Sequence, residues 1–174
     1  MIKYIIGIDP SLSNTGVSVL KQTTNTLTVV KAFNIETKKS DINTRIIEIS
    51  QKIVKELREY QNKDTTVVIE DPAYFKLNMN TFKKLNMLLG AILYALNEVL
   101  DNLRTITPSE WQSFLKVNTK GNKRIKRKEI KQETKKLIEN ITNKTSLDKL
   151  VKEENIIDAI SISVYYVIKG EKRW

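Results

Sequence analysis

Three carboxylates stand where an ordinary surface role is awkward. Asp9 closes the apolar run Ile5-Ile6-Gly7-Ile8, Glu70 closes Val67-Val68-Ile69, and Asp158 lies inside Ile156-Ile157-Asp158-Ala159-Ile160. A carboxylate beside a buried strand is costly unless it is paired or holds a cation. The chain contains no His and no Cys. That excludes imidazole bases, thiolate nucleophiles, Ser-His-Asp and Cys-His arrangements, disulfides and Cys/His zinc sites. What remains is carboxylate chemistry, and clustered oxygen ligands select a hard ion, Mg²⁺ or Mn²⁺ in its place. Two such ions about 4 Å apart suit phosphodiester hydrolysis, one activating water and the other stabilising the leaving oxygen. Taken singly, each acid is equally well a turn or cap residue, and Asp158 could cap a loop or pair with a Lys. Their combination is what points to catalysis.

The overall charge suits the same substrate. Lys and Arg number 30 against 20 acids, a net charge of +10 over 174 residues. Such a surface attracts polyanions, nucleic acid before acidic membranes. Residues 116–136 concentrate it, with ten basic side chains against Glu129 and Glu133. By itself such a run is more often a solvated face or loop than a binding site.

The elements that must position these groups are legible from periodicity. Residues 2–8 form a continuous apolar run, as in a strand buried on both faces. Residues 17–20 and 27–35 are β-branched strands with Asn25 at the turn between them. Ile42, Ile46, Ile49, Ile53, Leu57 and Tyr60 trace one helical stripe with Asp41 as N-cap. Residues 65–69 are a short buried strand. Phe82, Leu85, Leu89, Ile92, Leu96 and Val99, widened by Leu88, Leu93 and Leu100, predict a long helix apolar on so wide an arc that it must be buried against both the sheet and a partner. Residues 103–106 are a further strand. Thr107-Pro108-Ser109-Glu110 reads as a capping box opening a helix through Trp111 and Leu115. Ile130, Leu137, Ile138 and Ile141 suggest another helix, and residues 154–168 a last one.

The order β-β-β-α-β-α-β-α, then helices, predicts an α/β fold, a five-stranded mixed sheet with helices on both faces. Residues 1–174 read as a single domain carrying a basic insertion. If the first and fourth strands are neighbours, Asp9 and Glu70 meet, and the last helix can carry Asp158 over them. The longest apolar run, residues 87–96, is half of the roughly 20 residues a spanning helix needs. There is no signal-peptide pattern, so a cytoplasmic location is expected, or the nucleoid if the basic surface binds nucleic acid.

At these residues the sequence resembles a known family. Ile6-Gly7-Ile8-Asp9-Pro10-Ser11-Leu12-Ser13-Asn14-Thr15-Gly16 is similar to the opening of RuvC-type Holliday junction resolvases, which have an RNase H-like fold. Val68-Ile69-Glu70 resembles their second acidic motif and Asp158-Ala159-Ile160 the motif of their last catalytic helix. The three motifs, in order, span nearly the whole chain, and its small size most resembles the bacteriophage branch, for which the location would be the host cytoplasm. The resemblance implies Mg²⁺- or Mn²⁺-dependent hydrolysis at four-way DNA junctions, with Asp9, Glu70 and Asp158 as metal ligands. It implies 5′-phosphate and 3′-hydroxyl ends, and a homodimer placing paired nicks in opposed strands. The helix around residues 85–96 is the expected dimer interface.

The departures are specific. The family's usual fourth acid, three residues before the last, is Asn155 here. Glu154 shares a helix face with Asp158 and is the expected replacement, with Asn155 ligating through its carbonyl oxygen as the alternative. Of two family lysines, the earlier position is Gln112, and the later is best matched by Lys128. Lys120, Lys123 and Arg124 are expected to hold phosphates. Tyr74 or Phe75 stands where the family places an aromatic that wedges into the junction, the alternative being that Phe75 packs under its loop. Competing readings are a non-catalytic junction-binding protein, another RNase H-like nuclease or integrase, and an actin-like ATPase. The last needs two lobes and a further Gly-rich phosphate loop, which this chain lacks.

Overall fold

A computed structural model describes residues 1–38, 41–61, 63–72, 78–115, 129, 132–134, 136 and 153–169. Five strands, β1 (Lys3–Asp9), β2 (Asn14–Gln22), β3 (Leu27–Glu36), β4 (Thr65–Glu70) and β5 (Asn102–Ile106), form one sheet in the order β3-β2-β1-β4-β5. The first three are an antiparallel meander, whereas β4 and β5 run parallel to β1. Parallel neighbours require crossovers, and these are the helices α1 (Ile42–Leu57) and α2 (Met79–Asn97).

Strand alternation divides the core in two. Ile6, Ile8, Val17, Val19, Val67 and Ile69 face α1 and α2, where Ile49, Ile53, Leu57, Leu88, Ile92 and Leu96 are wholly buried. Ile5, Leu20 and Val68 face the opposite layer, made of α3 (Pro108–Phe114) and the final helix α4 (Glu154–Lys169). Each fully buried Ile or Leu contributes roughly 1.5–3 kcal/mol of transfer free energy. The expected mixed sheet with helices on both faces is therefore what forms.

Local signals set the helix ends. Asp41 accepts from the Thr44 amide at 2.7 Å, capping α1. In α3, Glu110 accepts from the Thr107 amide at 2.7 Å and from its hydroxyl at 2.9 Å, the reaching-back half of the capping box. Three boundaries differ from expectation. β2 begins at Asn14 instead of residue 17, because Asn14 to Gly16 pair with β3 and Gly16 pairs with β1 as well. Tyr60 falls in a 3₁₀ turn after α1 but stays buried on the same stripe. α2 starts at Met79, capped by Asn78, and stops before Val99, whose amide turns back to the Leu96 carbonyl at 2.9 Å.

Candidate active site

Asp9 and Glu70 are the last residues of adjacent parallel strands. Ile8 pairs with Ile69, so the next residue on each strand places the two acids side by side. Asp9 follows Ile5 and Gly7 at the strand period, and Glu70 follows Val68. Both therefore lie on the α3/α4 side of the sheet.

What brings Asp158 to them is a close approach of helix to sheet. A Cβ at Gly7 would lie 2.0 Å from the Ala159 carbonyl oxygen, and one at Gly16 would lie 2.0 Å from that of Asn155. The backbone of α4 thus rests directly on β1 and β2, which only glycine allows. Ser18 donates to the Ala159 carbonyl at 2.8 Å and shares a hydrogen bond with Ser163 at 3.0 Å. Asn155 donates its side-chain amide to the Asn14 carbonyl at 2.6 Å. Asp158 sits between these anchor points.

Electrostatics report the convergence. Burial, then the charges of Glu70 and Asp158, then a hydrogen bond with Glu70 push the Asp9 carboxyl well above the usual carboxylate range. Like charges gathered in a half-buried site are relieved by a proton or a cation. The donor set is all oxygen, which fits a hard divalent ion. Among the described residues no three acids close round one point as a finished cage. Asp9 and Glu70 are bonded to each other, and an ion would take the place of that contact.

Glu154 is exposed in the first turn of α4 and is not among the charges acting on Asp9. Asn155 spends its amide on the sheet. Tyr74, Phe75, Lys120, Lys123, Arg124 and Lys128 lie outside the described residues. Gln112 is on α3. Near the end of the basic stretch, Thr134 is buried and shares a 2.5 Å hydrogen bond with Ser161 of α4.

Two contributors were missed from sequence. Trp111, 1% exposed, donates its indole N–H to Glu70 Oε1 at 3.4 Å. Its place in the first turns of α3, directly after the strand that neighbours Glu70, was the available signal. The loop after Asp9 is clamped as well: the Leu12 carbonyl accepts from Thr37 and from the Arg45 guanidinium, whose Nε lies at 3.0 Å.

A family model, crossover junction endodeoxyribonuclease RuvC, matches residues 5–166. The protein belongs to the RuvC family. A RuvC of Campylobacter hominis is 22% identical over 170 residues, 97% of this chain and 99% of that one. The fold is shared with a solved structure of T. thermophilus RuvC in complex with Holliday junction substrate, with a TM-score of 0.73 at 14% identity over 98% of this chain and 96% of that one. It is also shared with the Fowlpox virus resolvase in complex with Holliday junction DNA, with a TM-score of 0.62 at 17% identity over 98% and 99% of the two chains. In this chain the last helix, seated on Gly7 and Gly16, carries Asp158 close enough for its charge to act on Asp9 at the end of β1. Among the described residues no helix is long and apolar enough to cross a membrane.

Proposed function

We propose that the protein is a structure-specific endonuclease that resolves four-way DNA junctions by metal-dependent phosphodiester hydrolysis. The observation that carries this reading is the meeting of Asp9, Glu70 and Asp158 at one end of the sheet. Family membership and the junction DNA bound by two of its structural relatives support the choice of substrate.

Asp9, Glu70 and Asp158 hold Mg²⁺, with Mn²⁺ able to substitute, and Glu154 supplies a fourth oxygen from the same helix face as Asp158. Bound divalent ions would supply an activated water and charge stabilisation at the leaving oxygen, giving 5′-phosphate and 3′-hydroxyl ends. Lys128 assists at the scissile phosphate. Lys120, Lys123 and Arg124 hold flanking phosphates, and Tyr74 or Phe75 unstacks bases at the crossover. The active unit is a homodimer making paired nicks in opposed strands.

One observation favours a second reading. Asn155, where the family carries an acid, is tied to the sheet, leaving one ligand fewer at that position. A non-catalytic junction-binding protein would tolerate that loss. Cleavage of labelled four-way, three-way and linear DNA with Mg²⁺ or Mn²⁺ decides between them. Paired nicks in the four-way junction, abolished by Asp9→Asn with the fold intact, are the expected result. Tight junction binding without nicks overturns catalysis. Equal cutting of linear duplex makes the protein a general RNase H-like nuclease.

A further inference from the structure

We infer that Trp111 is a positioning residue for Glu70, its indole N–H fixing one carboxylate oxygen so that the other faces the metal. This rests on the reading of Asp9, Glu70 and Asp158 as a cation site. Trp111 belongs to the core cluster formed with Ile157, Ile160 and Tyr165, among apolar neighbours. For packing alone an all-carbon side chain would serve there. The indole N–H is the one polar atom Trp111 brings, a buried indole needs an acceptor for it, and the acceptor is Glu70 Oε1 at 3.4 Å.

The mechanical logic follows from the two side chains. Glu has three rotatable bonds and loses about 1.5–2 kcal/mol of rotamer freedom when fixed. Trp111 is already immobilised by the core and gives up nothing more on holding it. The donor is delivered by non-local folding. Glu70 pairs with Ile106 in the sheet, and the Asp71 amide bonds the Ile106 carbonyl at 2.8 Å. The chain then turns at Thr107, and α3 folds Trp111 back over the end of β4. Outer-shell donors to metal carboxylates are commonly worth 10- to 100-fold in metal affinity.

The test separates this role from packing. Trp111→Phe keeps an aromatic ring but loses the donor. Phe114→Leu disturbs the same helix, where Phe114 packs edge-on against Tyr165 at 5.7 Å, without touching Glu70. Mg²⁺ binding is measured by calorimetry on both variants and the unaltered protein. The expected result is at least about tenfold weaker Mg²⁺ binding for Trp111→Phe, and unchanged binding for Phe114→Leu despite a lower Tm. Unchanged affinity in Trp111→Phe overturns the inference alone. An unaltered protein that takes up no Mg²⁺ overturns the site reading and this inference with it. Should Trp111→Phe fail to fold, Trp174→Phe leaves Trp111 as the sole indole. Its emission should then shift on Mg²⁺ addition, and a spectrum indifferent to Mg²⁺ overturns the proposal.

Discussion

Asn155 is where chemical type and geometry pull apart. Its position along α4 is that of an acidic ligand in the family, yet its amide donates to the Asn14 carbonyl at 2.6 Å and so ties the helix to β2. An acid there would set a carboxylate against a carbonyl oxygen, both acceptors. Asn155→Asp is therefore expected to lose about 1–3 kcal/mol of stability, the cost of a buried acceptor left without its donor, and to gain nothing in Mg²⁺ affinity. Urea denaturation and calorimetry read the two quantities separately, and tighter Mg²⁺ binding would reassign Asn155 as a ligand position. Glu154 carries the complementary expectation. Glu154→Gln should weaken Mg²⁺ binding and cleavage, because it removes the charge that the proposed fourth ligand brings from the helix face of Asp158. Wild-type behaviour would remove it from the ligand set. Asp9, Glu70 and Asp158 were legible from sequence because each interrupts an apolar run, so their cost in a bland role was visible. Trp111 was not, because its partner lies 41 positions away and is reached only through the β5–α3 turn.

The seat of α4 on the sheet governs whether these side chains meet at all. It depends on two residues that carry no side chain. Gly16 pairs with Asp9 across β1 and β2, and the Asn155 carbonyl occupies the place its Cβ would need. Gly16→Ala must lift α4 off β2, because the obstructing atoms are backbone and cannot rotate away. A cost of about 1–3 kcal/mol or more is expected, read by denaturation. Loss of Mg²⁺ binding should accompany it, since Asp158 moves with the helix. Retained affinity would mean that the helix seat and the metal site are independent. Ser18→Ala should be milder, about 1 kcal/mol for the hydrogen bond to the Ala159 carbonyl. At this scale the strands and helices were legible because their periods are strong, whereas the pairing of β1 with β4 stood only as a condition for the acids to meet. The glycine seat was hidden. Gly7 and Gly16 stand inside a recognisable motif, but only the packed helix reveals which backbone each one admits. A strand start moved for a similar reason: β2 reaches back to Asn14 through its pairing with β3, which no local pattern records.

For the whole molecule, the outer face of α2 bears on assembly. The expectation of a helix buried on two sides is half met within one chain. Leu88, Leu89, Ile92 and Leu96 pack into the core, while Met87 is 45% and Tyr94 75% exposed. Seven residues apart, these two stand two turns along one helical face. Tyr94 lines a groove of about 670 Å³ between α1 and α2, with Ile47, Val54 and Val99 in its walls beside the charged Lys55, Arg58 and Glu98. Paired nicks in opposed strands require two sites held at a fixed separation, so a second copy is the occupant that the proposed function calls for. A stable dimer must bury about 1,200–2,000 Å² in total, and an exposed Tyr and Met are the residue types that anchor such contacts. Met87→Glu combined with Tyr94→Glu should yield a folded monomer, because a charge buried at the centre of the interface finds no partner. Light scattering at micromolar concentration reads the mass. The monomer should keep Mg²⁺ binding, since neither side chain approaches β1 or β4, but should nick junction strands singly and lose the coordination of the second cut. A double variant that stays dimeric moves the interface elsewhere on the surface. An unaltered protein that is monomeric both free and on junction DNA removes the paired-nick mechanism, whatever its single site can cut.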